Sequence, residues 1–150
     1  MIQIETNTKI YRPIKQVFDF VSTPENDFQW QYGTLASSRI PGDASFIIGS
    51  FFRSIGHLMG RRNLSMFEVT EYDLDKIYGF KSLSGPLNSH TTYTFEMSRG
   101  STKVGISIQL KVQVTHPAMI NEVSLKKQIK ENLKLLKELL EEDTARPIIL

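Results

Sequence analysis

Arg53 and His57 stand in the run Phe51-Phe52-Arg53-Ser54-Ile55-Gly56-His57, where Phe51, Arg53, Ile55 and His57 share one parity. On a strand, one parity is one face, so a guanidinium and an imidazole would project together. Turned inward, they could bind a carboxylate or polarise a carbonyl. If Phe52 turns inward instead, both cations meet water. Glu68 and Glu71 have opposite parity, so a regular strand buries at most one of them, and only a bulge changes that. A buried member of the pair would be a general-base candidate with a raised pKa. Tyr72, Tyr78 and Tyr93 add hydroxyls able to orient a ligand. His57, His90 and His116 are far apart and lack metal-ligand spacing, and there is no cysteine. Thiol nucleophiles, disulfides, iron–sulfur sites and zinc ribbons are therefore excluded, and neither a metal site nor a cofactor is expected. No Ser-His-Asp ordering, glycine-rich phosphate loop or nucleophile elbow is present. No catalytic residue is assigned, and the chemistry left open is acid–base or none.

These side chains need a scaffold, and the chain of 150 residues suits a single domain spanning all of it. Lys plus Arg is 18 against 16 for Asp plus Glu, a net charge of +2 that gives no nucleic-acid footprint. No basic start followed by an apolar run opens the chain, and its apolar stretches are far shorter than a membrane span, so neither a signal peptide nor stable membrane insertion is expected. A cytoplasmic location is the default expectation.

Residues 2 to 11 alternate, with Ile2, Ile4, Thr6, Thr8 and Ile10 on one face, as in a half-buried strand. Ile14, Val17, Phe18 and Val21 then follow the helical period, with Pro13 in the first turn. Pro24 ends that helix and begins a second short one, capped by Thr23 and finishing near Trp30. From Leu35 to about Thr115 the pattern is strand and turn, closing on a long alternation from Lys103 to Val114. Short links imply an antiparallel meander. Residues 118 to 143 contain no Gly or Pro, and Ile129, Leu133, Leu136 and Leu140 form a stripe that Ile120 and Val123 extend backward. This predicts one long helix, roughly 39 Å over about 26 residues. Leu125, Ile129, Asn132, Leu136 and Leu139 also fit a short heptad, which leaves monomer and homodimer both open. Residues 143 to 150 read as a tail.

The run Ile10-Tyr11-Arg12-Pro13-Ile14-Lys15-Gln16-Val17-Phe18-Asp19-Phe20-Val21-Ser22-Thr23-Pro24-Glu25-Asn26, followed by Trp30, resembles the opening of the polyketide cyclase/dehydrase branch of the START-like superfamily. Gly60-Arg61-Arg62, Glu68-Val69-Thr70-Glu71-Tyr72 and Gly100-Ser101-Thr102-Lys103-Val104 recur at the expected later places. The resemblance implies an α+β helix-grip fold: a curved antiparallel sheet of about seven strands gripping the C-terminal helix, with two short helices after the first strand. It also implies an apolar cavity between sheet and helix.

The physical reading agrees, because one helix about 10 Å wide cannot cover a seven-stranded concave face. Candidate cavity residues are Trp30, Phe51, Arg53 and His57 from the first half of the chain. Met66, Phe80, Tyr93, Phe95 and Ile108 follow from the later strands, and Ile129, Leu133 and Leu136 from the long helix. The expected partner is a small apolar or amphipathic molecule such as a lipid, polyketide or isoprenoid. The alternative is a cyclase/dehydrase-type enzyme, for which Arg53, His57 and Tyr93 should converge inside the cavity.

Overall fold

A computed structural model describes residues 1–41, 47–58, 60–111 and 122–142. The opening alternation forms strand β1 (Ile2–Ile10), which ends where Arg12-Pro13 breaks the pleat. Helix α1 (Ile14–Val21) turns Val17, Phe18, Phe20 and Val21 into the core. A 3-10 helix follows over Pro24–Gln29 with Pro24 at its first position and Thr23 as N-cap residue. Thr23 does not cap with its side chain. Its hydroxyl donates back to the Asp19 carbonyl at 2.7 Å and so joins the two helices.

Six further strands complete the sheet: β2 (Thr34–Arg39), β3 (Phe51–Leu58), β4 (Arg61–Asp73), β5 (Ile77–Ser84), β6 (Asn88–Ser98) and β7 (Ser101–Lys111). The order β1-β7-β6-β5-β4-β3-β2 is antiparallel throughout, a meander closed by pairing of the first strand with the last. At β2 and β3 the backbones approach closely. The His57 N–H donates to the Gly33 carbonyl at 2.7 Å, and a Cβ on Gly56 would lie 2.7 Å from that same oxygen. Any side chain at Gly56 would collide with backbone.

Helix α2 (Glu122–Glu141) packs against the inner face of the sheet. Its buried residues are Ile129, Leu133, Leu136 and Leu140, the stripe expected from spacing. Val123, expected to extend that stripe, is 77% exposed. Ile120, the proposed end of β7 beyond Lys111 and the tail from residue 143 lie outside the described residues. Of the heptad positions, Ile129 and Leu136 are buried against the sheet and Leu125 and Leu139 pack beside them. No helix among the described residues is long and apolar enough to cross a membrane.

The two ends of α2 are held differently. At its C-terminal end Lys137 Nζ donates to the Lys9 carbonyl at 2.6 Å and to Glu141 Oε2 at 2.6 Å. The Tyr11 N–H donates to the same Oε2 at 2.8 Å, and the Arg12 guanidinium donates to the Glu141 carbonyl. Thr102 Oγ1 donates to the Arg12 carbonyl at 2.9 Å, tying the corner to β7. Burial pushes the Glu141 carboxyl up, but the Lys137 ammonium and the Tyr11 N–H outweigh this and hold it below the usual range. Beneath this corner Phe18 meets Phe95 edge-on with ring centroids 5.0 Å apart and Tyr72 at 5.5 Å.

Two outcomes follow for stability. Leu136→Ala should cost about 2–5 kcal/mol in urea denaturation, whereas Leu135→Ala, on the exposed side, should cost less than about 1 kcal/mol. Glu141→Gln should cost about 1 kcal/mol at neutral pH. Because the folded carboxyl titrates below its unfolded value, that deficit should shrink as pH falls through the folded pKa. A deficit that persists unchanged in acid would show that Glu141 acts through packing alone.

Candidate ligand-binding cavity

The pleat sorts β3 cleanly. Phe52 is buried and Ser54 faces inward, where its hydroxyl is 3.0 Å from that of Ser37, while Phe51, Arg53 and His57 are exposed. Arg53 Nε donates to Ser38 Oγ at 3.2 Å on the outer face. Met66 pairs with Arg53 across the strands and shares that face. The parity that placed Phe51, Arg53 and His57 inward is therefore reversed by one residue, and Phe51, Arg53 and Met66 stand outside the cavity. His57 borders the cleft only at its rim.

A bulge between Val69 and Glu71 changes the phase of β4. Phe67 and Val69 face inward before it and Tyr72 after it, while Thr70 and Glu71 both face outward. Glu71 Oε1 accepts from Thr92 Oγ1 at 3.0 Å and lies 3.4 Å from His90 Nε2, which in turn is 3.1 Å from Thr70 Oγ1. Glu68 pairs loosely with Lys81 at 3.9 Å. Neither glutamate is a cavity base.

Inside, α2 leaves part of the sheet uncovered beyond its anchored end. A chamber of about 200 Å³ is walled by Phe67, Phe80, Tyr93, Ile106, Ile108 and Leu133, with Trp30 and Ile129 closing it. A wider cleft of about 520 Å³ shares Gln31, Phe67, Leu125, Ile129 and Asn132 with the chamber and leads outward past Ser54, Asn63 and Gln128. Asn132 Oδ1 accepts from the Tyr32 N–H and from Gln128 Nε2, each at 3.1 Å, and so pins the Gln31–Tyr32 backbone to the helix. Of the candidates read from sequence, Trp30, Phe80, Tyr93, Ile108, Ile129 and Leu133 meet here. Phe95 and Leu136 are buried in the packed core nearer the anchored end. Trp30, Phe67, Phe80 and Tyr93 bring aromatic rings to an otherwise mainly aliphatic wall. Phe52 stacks on Phe67 with centroids 4.9 Å apart, Phe80 meets both edge-on, and Trp30 meets Tyr93 edge-on at 6.1 Å. Such pairs contribute about 0.5–1.5 kcal/mol each beyond their burial and hold the wall in shape.

Behind Trp30 lies a feature that the sequence reading did not mark: Glu25, Asn26 and Asp27 of the 3-10 helix are all buried. Glu25 Oε2 accepts from the Arg39 N–H at 2.7 Å, and its other oxygen lies 3.2 Å from Arg39 Nε. Asn26 Nδ2 donates to the Phe20 carbonyl at 3.2 Å. Burial pushes the Asp27 carboxyl well above its ordinary value, and the neighbouring Glu25 charge adds to this. Burial also raises the phenols of Tyr78 and Tyr93, with Asp27 contributing to both. Trp30 Nε1 is buried with no hydrogen-bond partner among the described residues. The available signal was the acidic first turn placed directly before a tryptophan. Polar residue type alone argued for solvent. Among the described residues no group of three His, Asp or Glu side chains is arranged to hold a metal ion.

No protein-family model matches the sequence, and no curated protein does. Solved structures do match in shape. A START superfamily protein from Mycobacterium smegmatis superposes with a TM-score of 0.71 at 13% identity, covering 95% of this chain and 97% of that one. The di-domain ARO/CYC StfQ from the steffimycin biosynthetic pathway gives 0.71 at 15%, over 94% of this chain and 45% of its own. Major latex-like protein 151 from Panax ginseng gives 0.71 at 12%, over 91% and 95%. At these identities the likeness is one of fold, and the fold is the helix-grip fold of START-like proteins, as the sequence resemblance implied.

Asp27 offers a direct check on this interior. A folded pKa above the unfolded value of about 3.9 means that the folded chain keeps a proton the unfolded chain has released, so stability is lost as pH rises. Denaturation free energies of wild type and Asp27→Asn should nearly coincide around pH 3. They should then diverge in the variant's favour by about 1 kcal/mol per pH unit until the folded group ionises. A gap that stays constant with pH would mean that Asp27 is ionised in the fold.

Proposed function

We propose that the chain binds a small, largely apolar molecule between sheet and C-terminal helix, with a ring or chain in the chamber and its more polar end in the cleft. The observation that supports this is an aromatic and aliphatic chamber that side chains leave unfilled, joined to an opening. Interiors are close-packed as a rule, so an apolar void of this size with a way in is the feature expected of a binding site. An apolar cavity of roughly 150 Å³ is enough to take up benzene, so the chamber suits one ring or two fused rings. Lipid, polyketide and isoprenoid fragments share that chemistry. The likeness to START-like, aromatase/cyclase and latex-like proteins supports the same reading.

The enzyme reading asked Arg53, His57 and Tyr93 to converge. Of these, Tyr93 alone lines the chamber, and its raised phenol pKa suits a hydrogen-bond donor and not a base at neutral pH. Binding is the reading we adopt.

The test is titration with N-phenyl-1-naphthylamine, an uncharged dye that brightens in apolar surroundings. Saturable brightening with a micromolar Kd is expected. Leu125→Trp, which fills the passage from the partly exposed side of α2, should weaken it at least tenfold while leaving the denaturation midpoint near wild type. Absence of saturable binding, or equal binding by the filled variant, would overturn the proposal.

A further inference from the structure

Charged residues make up 23% of the chain, yet among the described residues no Lys, Arg, Asp or Glu lines the chamber or the cleft. The polar wall groups include the hydroxyls of Thr91, Ser54 and Ser65 and the carboxamides of Asn63, Gln128 and Asn132, with His57 at the rim. These donate and accept hydrogen bonds but neutralise no ion. An ionised group carried into such a cavity loses its hydration and finds no countercharge, a cost of several kcal/mol even after relaxation.

The acidic groups near the site supply no countercharge to a ligand. Glu25 is buried behind Trp30, and Glu131 lines a shallower depression on the far side of the Gln31–Tyr32 backbone. Neither helps a cation enter the chamber: Glu25 is paired with Arg39, and Glu131 lines neither the chamber nor the cleft. Asp27, whose carboxyl is pushed up by burial and by the Glu25 charge, lines neither the chamber nor the cleft. Trp30 lines the chamber, and its Nε1 is buried without a partner among the described residues. A ligand hydroxyl or carbonyl oxygen is instead matched by the wall hydroxyls and carboxamides, such as Thr91, Ser54, Asn63 and Gln128.

We infer that the ligand is an uncharged apolar molecule bearing hydroxyl or carbonyl oxygens, and that the cavity discriminates against carboxylates and amines of the same shape. This rests on the binding reading above and specifies the class of molecule taken.

The experiment compares one ring frame in three charge states at neutral pH: 1-naphthylmethanol, 1-naphthoate and 1-naphthylmethylammonium, each titrated calorimetrically into the full chain. The alcohol should bind at least tenfold more tightly than either ion. Gln128→Lys, which sets one cation in the cleft wall on an exposed turn of α2, should narrow the gap between alcohol and carboxylate by at least threefold while leaving the ammonium weak. If the carboxylate or the ammonium binds as tightly as the alcohol, the charge inference fails and the cavity reading stands. If none of the three binds and the uncharged dye also fails, the cavity reading falls and this inference with it.

Discussion

The arrangement depends on where α2 is fastened. Lys137 and Glu141 bind the Lys9–Arg12 corner through backbone carbonyl and N–H groups, and Leu136 and Leu140 press into the core beneath. Corner and helix are thus locked at one end. Toward the other end the helix contributes Leu125, Gln128, Ile129, Asn132 and Leu133 to the walls of the chamber and cleft. A single rod cannot lie flush along a curved seven-stranded surface. Fixing it at one end decides at which end the uncovered surface is left. The chamber is a geometric remainder of that anchoring, lined by whatever the sheet presents there.

What the sheet presents there is a mixture of aromatic and aliphatic side chains. The rings form a connected set from Phe52 through Phe67 and Phe80 to Tyr78 and Tyr93, with Trp30 against Tyr93. Rings braced edge to face keep their positions with few rotatable bonds, so a void beside them has less tendency to collapse than one among aliphatic chains. The buried acids of the 3-10 helix work against stability, since Asp27 is desolvated and Glu25 is offset by its contacts to Arg39.

Much of this was legible in the sequence because two periods were long and unbroken. The alternation of β1 and β7 and the four-residue stripe of α2 were each specified by several apolar side chains in phase, so no single residue could mislead. The short β3 was different. Phe51 and Phe52 satisfy either parity, and only pairing with β4, where Phe67 opposes Phe52, decides which faces inward. Arg53 and His57 followed the wrong phenylalanine. The buried triplet Glu25-Asn26-Asp27 escaped notice for another reason: residue type argues for solvent, and the packing that overrides it, from the flanking α1 and β2, exists only once those elements fold over the acids.

The bulge at Val69–Glu71 lets one strand serve two environments. With an extra residue in the pleat, apolar positions fall at Phe67, Val69 and Tyr72, a spacing of two and then three. Chain positions on either side of it therefore obey different reading frames. Phe67 belongs to the chamber and Tyr72 to the packed end around Phe18. A related chain lacking the extra residue would align with this one only through a one-residue gap at that point. Forced into ungapped register, it would match every inward side chain beyond Thr70 to an outward one, so likeness in this segment is better sought in structure than in letters.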